Sequence, residues 1–220
     1  MKIREFTGFS LPDKKRGIAF FNWNLAWVTC FIIMYGSMNW ITSKEQSPLQ
    51  LFFEWELSIP FLPGFIWIYL SIVFIFFVPL FFSNVNGIRY LGPKMLWATF
   101  TAGILFWLFP AEAGYVRSDT IADQYLLFRI LYFFDHYPHN LFPSLHITYS
   151  AILVFSMLTS VKTVIKWLLW IWFLVICLSV FVVHQHHLVD VAGGVLLALA
   201  IHMLSRHGSK PILKNEDNTG

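Results

Sequence analysis

The chain has 220 residues, 57% hydrophobic and only 12% charged, with a mean hydropathy of +0.64. Ordinary soluble domains carry roughly a quarter charged residues, so this composition excludes a soluble protein and points to an integral membrane one. The formal net charge of +3 does not indicate nucleic acid: no basic cluster is interleaved with exposed aromatics on a soluble domain, and membrane topology and anionic headgroups account for the Lys and Arg residues.

Six apolar stretches are predicted to span the bilayer: 20–41, 61–82, 95–109, 144–161, 165–183 and 188–204. About 20 residues cross a bilayer core, so the third and sixth are short, and the third needs extension or tilt to fit. The first stretch is long, contains Trp and lacks a small-residue cleavage site, which reads as a retained anchor rather than a removed signal. An external loop over 43–60 carries Glu54-Trp55-Glu56 and leads through Ile59-Pro60-Phe61-Leu62-Pro63 into the second span, which contains Pro79. A longer external segment, 110–142, includes an aromatic run at 124–134 that is too short to span and is predicted to be an interfacial helix. Gly193-Gly194 in the last span permits close helix packing. Cys30 and Cys177 both fall inside predicted spans, so no disulfide or metal framework is implied. The expected organisation is a single six-span membrane domain over 1–205 and a mobile cytoplasmic tail over 206–220.

Basic residues fix the expected orientation. With six spans, both termini share one side with Arg89, Lys94, Lys162 and Lys166, and that side holds all but three of the 15 Lys and Arg residues. Only Lys44, Arg117 and Arg129 lie opposite. The positive-inside rule then places both termini in the cytoplasm.

Polar, titratable groups in so apolar a chain mark the places to look for chemistry. Pro143-Ser144-Leu145-His146 opens the fourth span, and His184-Gln185-His186-His187-Leu188-Val189-Asp190 joins the fifth to the sixth. The six-span arrangement brings both runs to the external surface at similar depth. A neutral imidazole can attack phosphorus, a carboxylate four residues on can fix its tautomer, and a second imidazole can protonate the leaving oxygen. Pro143 and Ser144 at a helix start put N–H groups and a hydroxyl at a positive helix end, an anion cradle. Plainer roles compete: Asp190 as a helix cap beside the dipole, His202 as a hydrogen-bond partner of a neighbouring helix, and the His cluster as a minor option for metal.

Pro143-Ser144-Leu145-His146 resembles the Pro-Ser-Gly-His motif of the type 2 phosphatidic acid phosphatase superfamily. His186-x-x-x-Asp190 resembles the end of that superfamily's Ser-Arg-x5-His-x3-Asp motif. Leu in place of Gly, the His-Gln-His-His-Leu-Val-Asp run and the Ile-Pro-Phe-Leu-Pro segment look most like the branch containing the fungal inositol phosphorylceramide synthases. The resemblance covers about 59–194. It implies an all-α bundle of six transmembrane helices, of the kind shared with the vanadium haloperoxidases. Carried over residue by residue, His186 is the nucleophile, Asp190 its orienting partner, His146 the general acid and Ser144 a phosphate contact.

The first family motif, Lys-x6-Arg-Pro, is half present: Arg117 takes the Arg position, with Pro110 and Ser118 at the Lys and Pro positions. In the third motif Ser179 matches, but Val180 stands where Arg is expected. Arg117 is then the one plausible phosphate-binding cation, and His184, Gln185 or His187 is left to supply further donors. The implied protein is a lipid phosphatase or phosphotransferase of the cell (inner) membrane, with an extracytoplasmic site, a lipid phosphate substrate and no metal or organic cofactor. The alternatives are a catalytically idle scaffold or lipid-binding protein with the same fold, which the missing cations favour, and a transporter, for which no inverted repeat is present.

Overall fold

The computed structural model describes residues 8–45, 47–115, 121, 124–134 and 139–208. Among these the chain is all-helical, with no strands and one isolated bridge between Leu49 and Ala111. The helices are α1 (Lys14–Thr42), α2 (Ile66–Leu70), α3 (Ile72–Ile75), α4 (Val78–Phe82), α5 (Val85–Leu108), α6 (Leu126–Phe134), α7 (Leu145–Met157), α8 (Thr163–Val182) and α9 (Leu188–Gly208). Two 3-10 turns, Glu54–Ser58 and Pro63–Phe65, precede α2.

Among the described residues, three helices are long and apolar enough to cross a membrane: Lys14–Thr42, Thr163–Val182 and Leu188–Ser205. The other three predicted spans take different forms. Residues 61–82 fold as a 3-10 turn and three short helices, joined by three-residue hydrogen-bonded turns such as Ser71 N to Ile68 O and Phe77 N to Phe74 O. Pro79 lacks the N–H that an unbroken helix would need there, and Ser71 breaks the run further up. The Ser71 hydroxyl donates to Ile68 O and accepts from the Trp172 indole of α8 at 2.9 Å.

The short third stretch gains length at its start. Asn84 caps α5 by accepting from Gly87 N–H at 2.8 Å, so the helix begins at Val85 and runs for 24 residues, about 36 Å at 1.5 Å per residue. The fourth stretch is shorter than predicted, 13 residues in α7 or about 20 Å. Of the segment expected to be an interfacial helix, Leu126–Phe134 is helical, as α6.

The core sits around α7, which packs against α5, α8 and α9. Ten of its residues are buried on all faces, including Ile147, Thr148, Ala151, Ile152 and Val154. A helix apolar all round belongs inside a bundle. By contrast, α1 and α8 expose Phe21, Leu25, Ile32, Ile33, Leu168, Ile171 and Leu174. Soluble proteins rarely expose so many large apolar side chains on one helix, whereas lipid accepts them.

Lys94 and His202 are placed inside the bundle. Lys94, assigned by the span count to a cytoplasmic loop, lies within α5 and is 1% exposed. Its Nζ donates to Ser156 Oγ at 3.1 Å and meets His202 Nδ1 at 3.0 Å. His202 therefore bonds a neighbouring helix. Residues 209–220, most of the expected tail, lie outside the described residues.

Candidate active site

Backbone packing joins the two histidine-bearing runs. Ser144 has extended backbone and caps α7, its Oγ accepting from Ile147 N–H at 3.4 Å. Its own N–H donates to the carbonyl of Asp190 at 3.0 Å. Thr148 Oγ1 lies 2.8 Å from Ser144 O and 3.2 Å from Gly194 O, so one hydroxyl serves both helices. Gly194 makes this approach possible: a Cβ there would stand 2.7 Å from Ser144 O. A Cβ at Gly193 would meet the Phe142 ring. The glycine pair thus sets how closely α9 lies on the start of α7.

The loop from α8 to α9 begins with a helix-ending motif. His184 N–H donates to Phe181 O at 3.0 Å and Gln185 N–H to Val180 O at 2.9 Å, with His184 in the left-handed region at φ +56°. This is the pattern of a Schellman stop, in which glycine is usual and the left-handed residue otherwise carries strain.

Each of the three histidines has a different environment. His184 Nε2 donates to Ile59 O at 2.9 Å, and its ring stacks on Tyr115 at 4.0 Å. Burial holds its pKa below the ordinary value of 6.5, ahead of the opposing bond to Ile59 and the His187 contribution. His187 lies on the other face of Tyr115 at 4.4 Å and against Phe52 at 4.6 Å, with Nε2 meeting Ala113 O at 2.6 Å. The rings of Phe52, His187, Tyr115 and His184 therefore form one column. His186 stands outside it, with Nδ1 3.4 Å from Asp190 Oδ2. That contact is within ion-pair range but is not aligned as a hydrogen bond, and Nδ1 has no other partner. Catalytic contacts are often long before substrate binds.

Asp190 acts in two ways. The same Oδ2 accepts from His187 N–H at 2.9 Å, which makes it a cap of the first turn of α9 as well as the neighbour of His186. His146, in the first turn of α7, stacks on Tyr69 at 4.1 Å, and its Nε2 is buried with no hydrogen-bond partner. His146 lies near enough to His186 for the two rings to interact electrostatically.

Glu56 completes the site and was not singled out by either sequence motif. It is fully buried. Its Oε1 accepts from Phe53 N–H at 2.9 Å, and Oε2 accepts from Leu188 N–H at 2.8 Å and lies 3.3 Å from His187 Nδ1. Tyr115 donates its hydroxyl to Glu56 O at 3.2 Å. Burial first, then the charges of Glu56 and Asp190, push the Tyr115 phenol up to about 12, so it stays a donor. A carboxylate so far along the chain from its partners leaves no spacing pattern. Its only sequence signal is that an acidic residue lies in an apolar loop just before Ile59-Pro60.

The sequence-derived site residues are thus partly gathered. His146, Ser144, His186 and Asp190 come together at the facing ends of α7 and α9. Gln185 is buried beside them, its side-chain amide donating to Val183 O and His184 O at 3.3 and 3.4 Å. His184 has its N–H committed to Ile59, which leaves only an acceptor nitrogen on the neutral ring. Arg117 lies outside the described residues. Among the described residues no group of three or more His, Cys, Asp or Glu is arranged to hold a metal ion.

A family model described as the PAP2 superfamily matches residues 54–204, which include every element named above from Glu56 to Gly194. No curated protein and no solved structure matches the chain.

Proposed function

Because the chain belongs to the PAP2 superfamily, a family of phosphatase-type enzymes, we propose that it is a lipid phosphatase or phosphotransferase working through a phosphohistidine on His186. In this reading His186 Nε2 attacks phosphorus in line while Nδ1 faces the Asp190 carboxylate. The bond from phosphorus to the leaving oxygen breaks, and His146 delivers a proton to that oxygen. Water or a substrate hydroxyl then attacks phosphorus, the P–Nε2 bond breaks to free His186, and the attacking oxygen's proton returns to His146. Proton transfer of this kind contributes typically 10²–10⁴-fold. Ser144, together with Arg117, is the proposed phosphate contact, with Gln185 joining them once its amide leaves Val183 O and His184 O, and the chemistry calls for no metal or organic cofactor. The branch resembling the inositol phosphorylceramide synthases, whose site carries few cations, is the proposed placement.

The proposed setting is a single membrane domain over 1–205 with six crossings, the broken segment 61–82 and the short α7 included. Both termini are cytoplasmic and the site is extracytoplasmic in the cell (inner) membrane. A lipid phosphate or phospho-headgroup reaches it from the bilayer.

One observation carries this reading: the Ser144 N–H to Asp190 O bond, which brings the His146 and His186 motifs together from separate helices. Purified protein should release phosphate from, or transfer it between, members of a panel of phosphatidic acid, isoprenyl phosphate and phosphoinositide. Acid-labile radiolabel should be trapped on His186, and His186→Ala should abolish both signals. If wild type and His186→Ala are alike in neither releasing nor transferring phosphate, the chain is the idle scaffold instead.

A further inference from the structure

Two imidazole–carboxylate pairs stand side by side at the start of α9. His186 with Asp190 is the pair proposed for chemistry. His187 with Glu56 is the other, and it is almost wholly enclosed, at 2% and 0% side-chain exposure. We infer that Glu56 is a positioning residue for phosphoryl transfer, acting through His187 to hold the backbone at 186–190 and so the ring of His186. The inference rests on the reading of His186 as nucleophile.

The two carboxylates take the first two backbone donors at the start of α9. Asp190 Oδ2 takes His187 N–H and Glu56 Oε2 takes Leu188 N–H. The first N–H groups of any helix lack intrahelical partners, and caps usually come from the same segment. Here one comes from residue 56, whose own turn is closed by the Phe53 N–H bond. A movement of the 53–58 turn would therefore move the start of α9.

His187 makes the link rigid. Its ring is held between Phe52 and Tyr115, Nε2 meets Ala113 O, and Nδ1 lies beside Glu56 Oε2. Both ring nitrogens thus face oxygen on segments far from α9 in sequence, and neither is turned toward a substrate. With His184 likewise bound to Ile59 O and stacked on Tyr115, the residues on either side of Gln185-His186 are both fixed. His186 is the histidine of the three left to move against phosphorus. Displacing a reacting group by about 1 Å can cost 10²-fold, so this clamp matters to rate without touching substrate.

The test uses full-length protein in detergent with the lipid-phosphate panel. Glu56→Gln keeps the shape but sets an amide NH2 against one of the two backbone donors. His187→Phe keeps a ring between Phe52 and Tyr115 and leaves the Glu56 caps in place. Each is expected to lower kcat at least about ten-fold with KM changed less than two-fold, a split that general loss of folded enzyme would not leave in active-site-titrated samples. The double variant should be no worse than Glu56→Gln alone, because both act along one chain of contacts. An active wild type with His187→Phe at wild-type kcat overturns the inference while leaving the phosphohistidine reading in place. So does an additive double variant. Should Glu56→Gln fail to accumulate, His187→Phe alone decides the outcome. A wild type without phosphoryl activity overturns both.

Discussion

Asp190 illustrates how one side chain can combine a structural and a chemical role, and how the two can be separated. Its Oδ2 caps His187 N–H and faces His186 Nδ1. Asn at 190 retains an oxygen for the cap but loses the charge that supports an imidazolium product. Asp190→Asn is therefore expected to change thermal stability little and to lower phosphate release by about 10³–10⁴-fold, the scale of losing the carboxylate of a histidine pair; paired melting and rate measurements check this. His184 makes a second residue-scale prediction. Its folded-state pKa is lowered by burial, so the unfolded chain takes up a proton at a higher pH than the folded one does. Its stabilising contribution is then complete above about 6.5, the ordinary value, and is lost as pH falls below it. Melting temperatures between pH 7.5 and 5 should fall on the acid side. The slope should be shallower in His184→Asn, since Asn tolerates the left-handed backbone found there.

At the scale of elements, the close contact of α9 with α7 assembles the site, and the two glycines in it should not respond alike. At Gly194 an added methyl faces a backbone oxygen, Ser144 O, and the Ile147 side chain, neither of which can step aside without parting the helices. Overpacking of this kind typically costs about 1–3 kcal/mol, and here the displacement falls on the His146 and His186 motifs. At Gly193 the obstacle is the Phe142 ring, which can turn, and Ala gains about 1 kcal/mol of helix propensity over Gly. Gly194→Ala is thus expected to lower both melting temperature and rate, and Gly193→Ala far less; a reversed order would break this account. The pair's packing role was legible in the sequence, as were α1, α8, α9 and the histidine runs, because continuous apolar runs and a four-residue spacing are local signals. The broken form of 61–82 was not legible in its apolar run, although Pro79 is a local signal within it; the Trp172–Ser71 bond joins distant segments and leaves no trace in the sequence. Nor were Glu56 and the column of rings around Tyr115 legible, each defined by partners far away in the chain, while the start of α5 rests on the local Asn84–Gly87 cap, which lies before the apolar stretch.

Among the described residues, the buried charged and histidine side chains fall in two places: the His184–Asp190 loop with Glu56, and Lys94 with His202. Asp190 is in the first turn of α9 and His202 is near the end of that helix, about three turns and 18 Å apart at 1.5 Å per residue. The two polar centres therefore lie toward opposite ends of α9. If Lys94 marks the cytoplasmic half, as the excess of Lys and Arg on the side of the termini predicts, the histidines face the extracytoplasmic surface. The proposed crossings make this testable loop by loop. An alkaline phosphatase reporter, active only after export, should be silent when fused after Lys162 in the α7–α8 connection and active when fused within 43–53. Both results require an odd number of crossings between 53 and 162, which the broken segment 61–82, α5 and the short α7 together supply. Activity after Lys162 would put the α7–α8 turn outside and the His184–Asp190 loop in the cytoplasm. The chemistry of the site could survive that, but its substrate would then have to come from the inner leaflet.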